Sequence, residues 1–183
     1  MPRQVFDFDP PDRFLAGAVG LPGQRTFYLQ AREGDRLVSV VLEKVQVAAL
    51  ADRLGLLIEE LRGRGIAIPP TGPGDEDELE EPVDEAFRAG TLALAWDTRS
   101  EEVIVEARAM TEDEEEDEEV EIDDDDPDGP DVLRVRLTPT AVVGFIGHAR
   151  DVIAAGRPPC PWCGQPLEPT GHFCPRRNGN RAN

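Results

Sequence analysis

The sequence predicts an α+β fold in which a unit of about three antiparallel strands and one helix occurs twice, followed by a short cysteine-bearing tail. Three observations predict it. Val38, Val40 and Leu42, and later Leu133, Val135 and Leu137, alternate as strands with one buried face do. Each stretch runs into apolar residues spaced three and four apart, the mark of a helix lying on a core. The two halves also agree with each other in residue type at constant offsets.

The first unit covers residues 1–61. Asp12, Phe14, Ala16-Gly17 and Val19 match Glu85, Phe87, Ala89-Gly90 and Leu92, an offset of 73. Phe27-Tyr28-Leu29 with Ala31-Arg32 matches Val103-Ile104-Val105 with Ala107-Arg108, an offset of 76. The alternating strands match at an offset of 95, which then holds without a gap through Val47/Val142, Leu50/Phe145, Ala51/Ile146, Leu54/Ala149, Leu57/Val152 and Ile58/Ile153. Gly17 to Gly23 reads as the hairpin loop between the first two strands rather than as a phosphate cradle. Val47, Leu50, Ala51, Leu54, Leu57, Ile58 and Leu61 form the first helix stripe.

Residues 62–82, rich in Pro, Gly and acids, are the linker, and residues 83–156 are the second unit. Thr138 can cap its helix, Pro139 suits the first turn, and Gly156 with Pro158-Pro159 ends it. Neither unit can bury its helix stripe alone, so the two are expected to share one core. A ligand, if there is one, would sit in a groove between them.

The net charge of −19 is concentrated. Residues 112–131 hold 15 of the 38 acidic side chains and no basic one; without them the balance is −4, and without the six acids of Asp75 to Glu81 it is +2. The offset changes from 76 to 95 across this tract, where the first unit has only the Gly34-Asp35 turn. The tract is therefore expected to be a disordered acidic loop inserted between two strands. It would solvate the protein, or attract a basic surface on a partner. It lacks the spaced ligands and glycine of a calcium loop.

Residues 157–183 form the tail. All three cysteines and one of the two histidines lie there, as Cys160-Pro-Trp-Cys163-Gly164 and His172-Phe-Cys174-Pro-Arg-Arg-Asn-Gly179. A tight turn can aim two cysteines at one ion, and the following glycine admits a positive φ. A return arm supplying His172 and Cys174 completes a tetrahedral Cys3His set, so Cys160, Cys163, His172 and Cys174 are the expected ligands of a structural zinc. The competing reading is a redox Cys-x-x-Cys pair, which would normally open a helix after a strand. Three thiolates and a neutral imidazole give the zinc site a charge near −1. Arg157, Arg176, Arg177 and Arg181 would offset it, touch phosphate, or dock on the acidic loop.

Little else carries chemistry. With His172 on the metal, His148 is the remaining histidine, and its position on the second helix predicts a solvent-facing side chain. No cysteine is left for nucleophilic work, and no Gly-x-Ser-x-Gly or Walker-type loop occurs. Catalytic and cofactor-binding residues are therefore expected to be none. The N-terminus has no basic stretch followed by an apolar one, and no run approaches a membrane span. With every thiol assigned to the metal, a reducing cytoplasm is the expected home.

Four stretches together resemble one family. They are Met1-Pro-Arg-Gln-Val5 with Phe8-Asp-Pro-Pro-Asp-Arg-Phe14, Gln24-Arg-Thr-Phe27 with Gln30-Ala-Arg32, Leu42-Glu-Lys-Val-Gln46-Val-Ala-Ala-Leu50, and the cysteine-histidine ending. The chain is similar over nearly its whole length to the actinobacterial domain of unknown function 3090 family. The resemblance implies an actinobacterial, cytoplasmic protein, and it implies no activity. Asn180 departs from the aromatic residue that often follows the final motif of that family.

Three function classes follow. The first is a non-catalytic protein-interaction or adaptor module whose tail is made rigid by zinc and whose acidic loop meets a protein partner. The second is a nucleic-acid-associated factor using the knuckle and its arginines, which the acidic balance disfavours because phosphate contacts dominate such affinity. The third is an enzyme or small-ligand binder with its site between the two units.

Overall fold

The computed structural model describes residues 2–71, 78–112, 122, 126–156, 158–165, 167, 172–177 and 181–182. Short alternating segments give the main sheet: β1 (Val5–Phe8), β2 (Arg13–Val19), β3 (Thr26–Glu33), β4 (Arg36–Leu42), β5 (Glu85–Asp97), β6 (Glu102–Ala109) and β7 (Val132–Leu137). Helix α1 (Lys44–Gly63) lies between β4 and β5, and α2 (Pro139–Ala154) follows β7. In the tail, β8 (His172–Phe173) pairs antiparallel with β9 (Arg181–Ala182).

The strand order is β1-β7-β6-β5-β4-β3-β2. Two antiparallel meanders, β2-β3-β4 and β5-β6-β7, are each followed by a helix, and they join through a parallel β4–β5 pairing. A parallel pair needs a crossover, which α1 supplies. β1 adds in parallel to β7.

That order forces the sheet to roll. Seven flat strands at about 4.8 Å spacing would hold β1 and β2 about 29 Å apart. The four residues between Phe8 and Arg13 bridge at most about 18 Å. The edges are therefore drawn together, around the face that carries Phe8, Leu29, Val40, Val105 and Val135, and contacts across that face record the curvature. The Arg36 guanidinium lies 4.1 Å from the centre of the Phe8 ring, and the rings of Phe6 and Phe87 stack at 6.3 Å although β5 and β1 are separated by two strands.

Both helices fill this face. α1 buries Val47, Leu50, Ala51, Leu54, Ile58 and Leu61, and α2 buries Val142, Phe145, Ile146 and Ala149, in one cluster with the strands. Phe145 stacks on Phe14 of β2 at 4.8 Å. Thr138 caps α2, its hydroxyl accepting from the Ala141 N–H at 3.3 Å, with Pro139 in the first turn. α1 begins differently. Gln46 accepts from the Glu43 N–H at 2.8 Å and donates to the Ala89 and Gly90 carbonyls, which ties the helix to β5.

The offsets of 76 and 95 fall on equivalent places in the two hairpins. Phe27 faces Leu42, Leu29 faces Val40 and Ala31 faces Val38; Val103 faces Leu137, Val105 faces Val135 and Ala107 faces Leu133. The offset of 73 does not. Phe14 faces Ala31, whereas Leu92, not Phe87, faces Ala107. The cause is β5, which is longer, pairs with β4 over Glu85–Arg88, and shifts register between Ala89 and Thr91 before continuing along β6.

The segment that joins β6 to β7 carries the acidic tract. Its last residues are anchored: Asp131 accepts from the Gln4 N–H at 2.7 Å, and Arg3 donates to the Asp126 carbonyl at 3.0 Å. The expectation of disorder falls on residues 112–131: residues 126–131 are held by these hydrogen bonds, and residues 113–121 and 123–125 lie outside the described residues.

Candidate metal centre

Local backbone geometry builds the tail. The Gly164 N–H donates to the Cys160 carbonyl at 2.9 Å and the Cys160 N–H to the Gln165 carbonyl at 2.7 Å, closing a tight turn around Pro161-Trp162-Cys163. Gly164 sits at φ +74°, where a Cβ is strained and glycine is not. Leu167 donates back to the Pro158 carbonyl at 2.8 Å. The two-residue strand β8 then holds His172 and Phe173, and Cys174 follows directly.

This brings all four expected ligands together. One donor atom from each of Cys160, Cys163, His172 and Cys174 lies within 4.8 Å of the others, a group that can hold a metal ion. The Cys160 and Cys174 sulfurs are 3.9 Å apart, and the Cys163 sulfur is 3.6 Å from His172 Nε2. A regular tetrahedron with Zn–S near 2.3 Å and Zn–N near 2.1 Å has edges of about 3.8 Å (S···S) and about 3.6 Å (S···N). These two separations match such a tetrahedron, and the remaining ones stay within 4.8 Å. All three cysteines are unbridged.

Electrostatics favour a thiolate at one corner. Burial opposes ionisation of Cys160, but hydrogen bonds from the His172 side chain and from the Cys163 and Trp162 backbone outweigh it and hold the thiol at about 6. The Cys163 thiol is pushed up instead, chiefly by burial and then by the sulfurs of Cys174 and Cys160 beside it. Cys160 and Cys174 are buried and Cys163 and Leu167 pack on them, a cluster separate from the main core. Trp162 and Phe173 stand 55% and 70% exposed on this module. Of the tail arginines, Arg176 is exposed; Arg157 and the side chains of Arg177 and Arg181 lie outside the described residues.

His148 corrects one expectation. It is half-buried rather than solvent-facing, and its Nε2 is enclosed with no hydrogen-bond partner among the described residues. The neighbouring turns explain this: Phe145 stacks on β2, and Thr71 of the chain beyond α1 reaches Gly144, so this side of α2 is covered. The groove between α1 and α2 has about 260 Å³ of space, and its charged residues Glu59, Arg62 and Arg150 are exposed at its rim. No convergent set of buried polar groups lines it.

Sequence reasoning missed a second polar cluster, on the sheet face away from the helices. Glu106 is fully buried there. It accepts from Arg134 Nε at 2.6 Å and from Arg108 Nη2 at 3.0 Å, while Arg134 also lies 3.7 Å from Asp7 of β1. On β3 and β4 the same face buries Gln30 against Ser39 at 3.0 Å, and Glu80 donates its N–H to Gln30 at 2.8 Å. Alternation along Ile104-Val105-Glu106-Ala107-Arg108 gives the outward direction of Glu106; nothing local gives its burial.

A rolled α+β body with a Cys3His tail defines the class of protein. The chain belongs to the family described as a protein of unknown function (DUF3090), whose model matches residues 6–174 and so spans every donor of the centre. No curated protein and no solved structure matches the chain. No helix among the described residues is long and apolar enough to cross a membrane.

Proposed function

We propose that this chain is a zinc-binding, non-catalytic interaction protein of the cytoplasm, in which the metal fixes the tail as a rigid contact surface. The observation that carries this reading is the closed donor set. Four protein ligands at tetrahedral separations leave no position for water or substrate, which is the arrangement of a structural site and not of a catalytic one. The exposed Trp162 and Phe173 on the same module supply amphipathic contact area of the kind enriched at protein interfaces. The acidic tract contributes long-range attraction for a basic partner and governs the on-rate more than the final affinity.

We also read the two meander–helix units as products of an internal duplication. Support comes from the equal hairpin registers at offsets of 76 and 95, and the longer β5 marks where the second unit diverged.

Capture from native cytoplasm tests the functional reading, with intact protein beside a form lacking residues 112–131 and beside Trp162→Ala/Phe173→Ala. We expect one zinc per chain and a protein partner that is lost with the aromatic double variant and bound more slowly without the tract. A partner retained equally by all three forms would remove the tail from the interaction. Bound nucleic acid lost at high salt would move the function to the phosphate-contacting class.

A further inference from the structure

The outer half of β5 is a strand edge that no described residue pairs. β4 meets β5 only over Glu85–Arg88, whereas β5 runs on to Asp97 with β6 on one side alone. Thr91-Leu-Ala-Leu-Ala-Trp96 has no charge, no proline and no bulge within it, and every residue of it is half-buried. Native proteins guard such edges with lysine, proline or a covering segment. Among the described residues no lysine, proline or pairing strand guards this one. Beside the edge, α1 presents Leu56, 71% exposed, and Leu57, Leu61, Leu94 and Trp96 line a groove of about 400 Å³ with it.

The charges at the rim of this groove select the occupant. Arg53 precedes Leu56-Leu57 and Glu60 follows them, at equal distances from the midpoint of the pair. A two-fold axis through that midpoint sets the Arg53 of each copy against the Glu60 of the other and Leu56 against Leu57. An axis at Leu94 likewise sets Leu92 against Trp96 across two antiparallel edges, an aliphatic–aromatic pair of the kind that stabilises sheets. Leu57 and Leu94 line the same groove, which puts the two midpoints side by side, as a single axis through both elements requires. We propose that this edge and the adjoining face of α1 bind a second copy of the chain, antiparallel and isologous, joining two rolled sheets through β5. The inference is independent of the metal centre.

The test is sedimentation equilibrium of the full, metal-replete chain into the tens of micromolar, with helicity checked by circular dichroism. We expect a dimer. Leu56→Glu should make it monomeric. Arg53→Glu and Glu60→Arg should each weaken it about tenfold or more, by setting like charges against each other. The doubly exchanged Arg53→Glu/Glu60→Arg should recover most of the loss, because the pair is restored across the axis; the Glu60–Arg64 pair within the helix is not restored. These three side chains are exposed, so the body should fold in every variant. A monomeric wild type, a dimer indifferent to Leu56→Glu, or a double exchange as weak as the single ones would each overturn the proposal. In the first case the edge would be left to a strand of another protein.

Discussion

In the body, two helices and seven strands bury one continuous apolar cluster, from Phe8 to Ala149. In the tail, the buried set is Cys160 and Cys174, with Cys163 and Leu167 against them. Ordering a residue costs about 1–2 kcal/mol of backbone entropy. The body offsets this by burying apolar side chains at every turn of its helices, and the three cysteines and one leucine clustered among the described residues of the tail cannot do the same. Under the proposed function the two regions therefore differ in what makes them fold: apolar area in one, a coordinated ion in the other.

Removing the metal should break that comparison most sharply. Structural zinc contributes on the order of 10–16 kcal/mol to modules of this kind. Chelation, or Cys174→Ser, should erase the dispersed amide resonances of the tail while the thermal midpoint of the body stays in place. A body that melts earlier on chelation would mean that the two regions fold as one.

Acid should act on the tail in the same direction. The folded Cys160 thiol sits at about 6, below its ordinary 9.0. A depressed thiol contributes stability that is complete above 9.0 and disappears as the pH falls to about 6. Metal should thus be released as the pH falls towards 6. In the metal-free chain, whose tail is no longer ordered, the thiolate ultraviolet absorbance should titrate near the ordinary 9.0. A metal-free midpoint well below that would show that the hydrogen bonds to the sulfur form without the metal.

Within the body the next largest effect belongs to the polar face. Glu106→Gln keeps the shape but takes away the buried carboxylate that accepts from Arg108 and Arg134, while Arg134 keeps Asp7. Breaking such a cluster from one side costs about 3–5 kcal/mol, which urea denaturation would read as a lower midpoint. Metal affinity should not change. A loss below about 1 kcal/mol would show that the guanidiniums find water or other acceptors at no cost.

How much of this was legible follows from how local each signal is. The helices were readable because a stripe such as Val47-Leu50-Leu54-Ile58-Leu61 states its own period. The metal donors were readable because two short motifs carry all four. β1 was not, since Val5-Phe6-Asp7-Phe8 is brief and its partner is Val132–Val135, far along the chain. The roll of the sheet depends on that same distant pairing. Glu106 was missed for a related reason: alternation gives the face a residue points to, and only the tertiary packing decides whether water reaches that face. His148 belongs with it, because Phe14 and Thr71, from two other segments, cover its side of α2.

The smallest predicted effect separates the starts of the two helices. α2 satisfies an orphan N–H of its first turn with the Thr138 hydroxyl, whereas in α1 the Gln46 side chain reaches back to accept from the Glu43 N–H just before the helix and also holds the Ala89 and Gly90 carbonyls of β5. Thr138→Ala removes a cap alone, so it should cost about 1 kcal/mol, and Thr138→Asn should recover most of it. Gln46→Ala removes a cap and frees two carbonyls at the β5 register shift, so it should cost more, about 2 kcal/mol. Hydrogen exchange adds a spatial readout: the first variant should loosen only the first turn of α2, and the second should also loosen Ala89–Thr91. Equal costs and equal exchange in both variants would mean that Gln46 acts as a cap and nothing more, and that the β5 shift is held by its own pairing with β6.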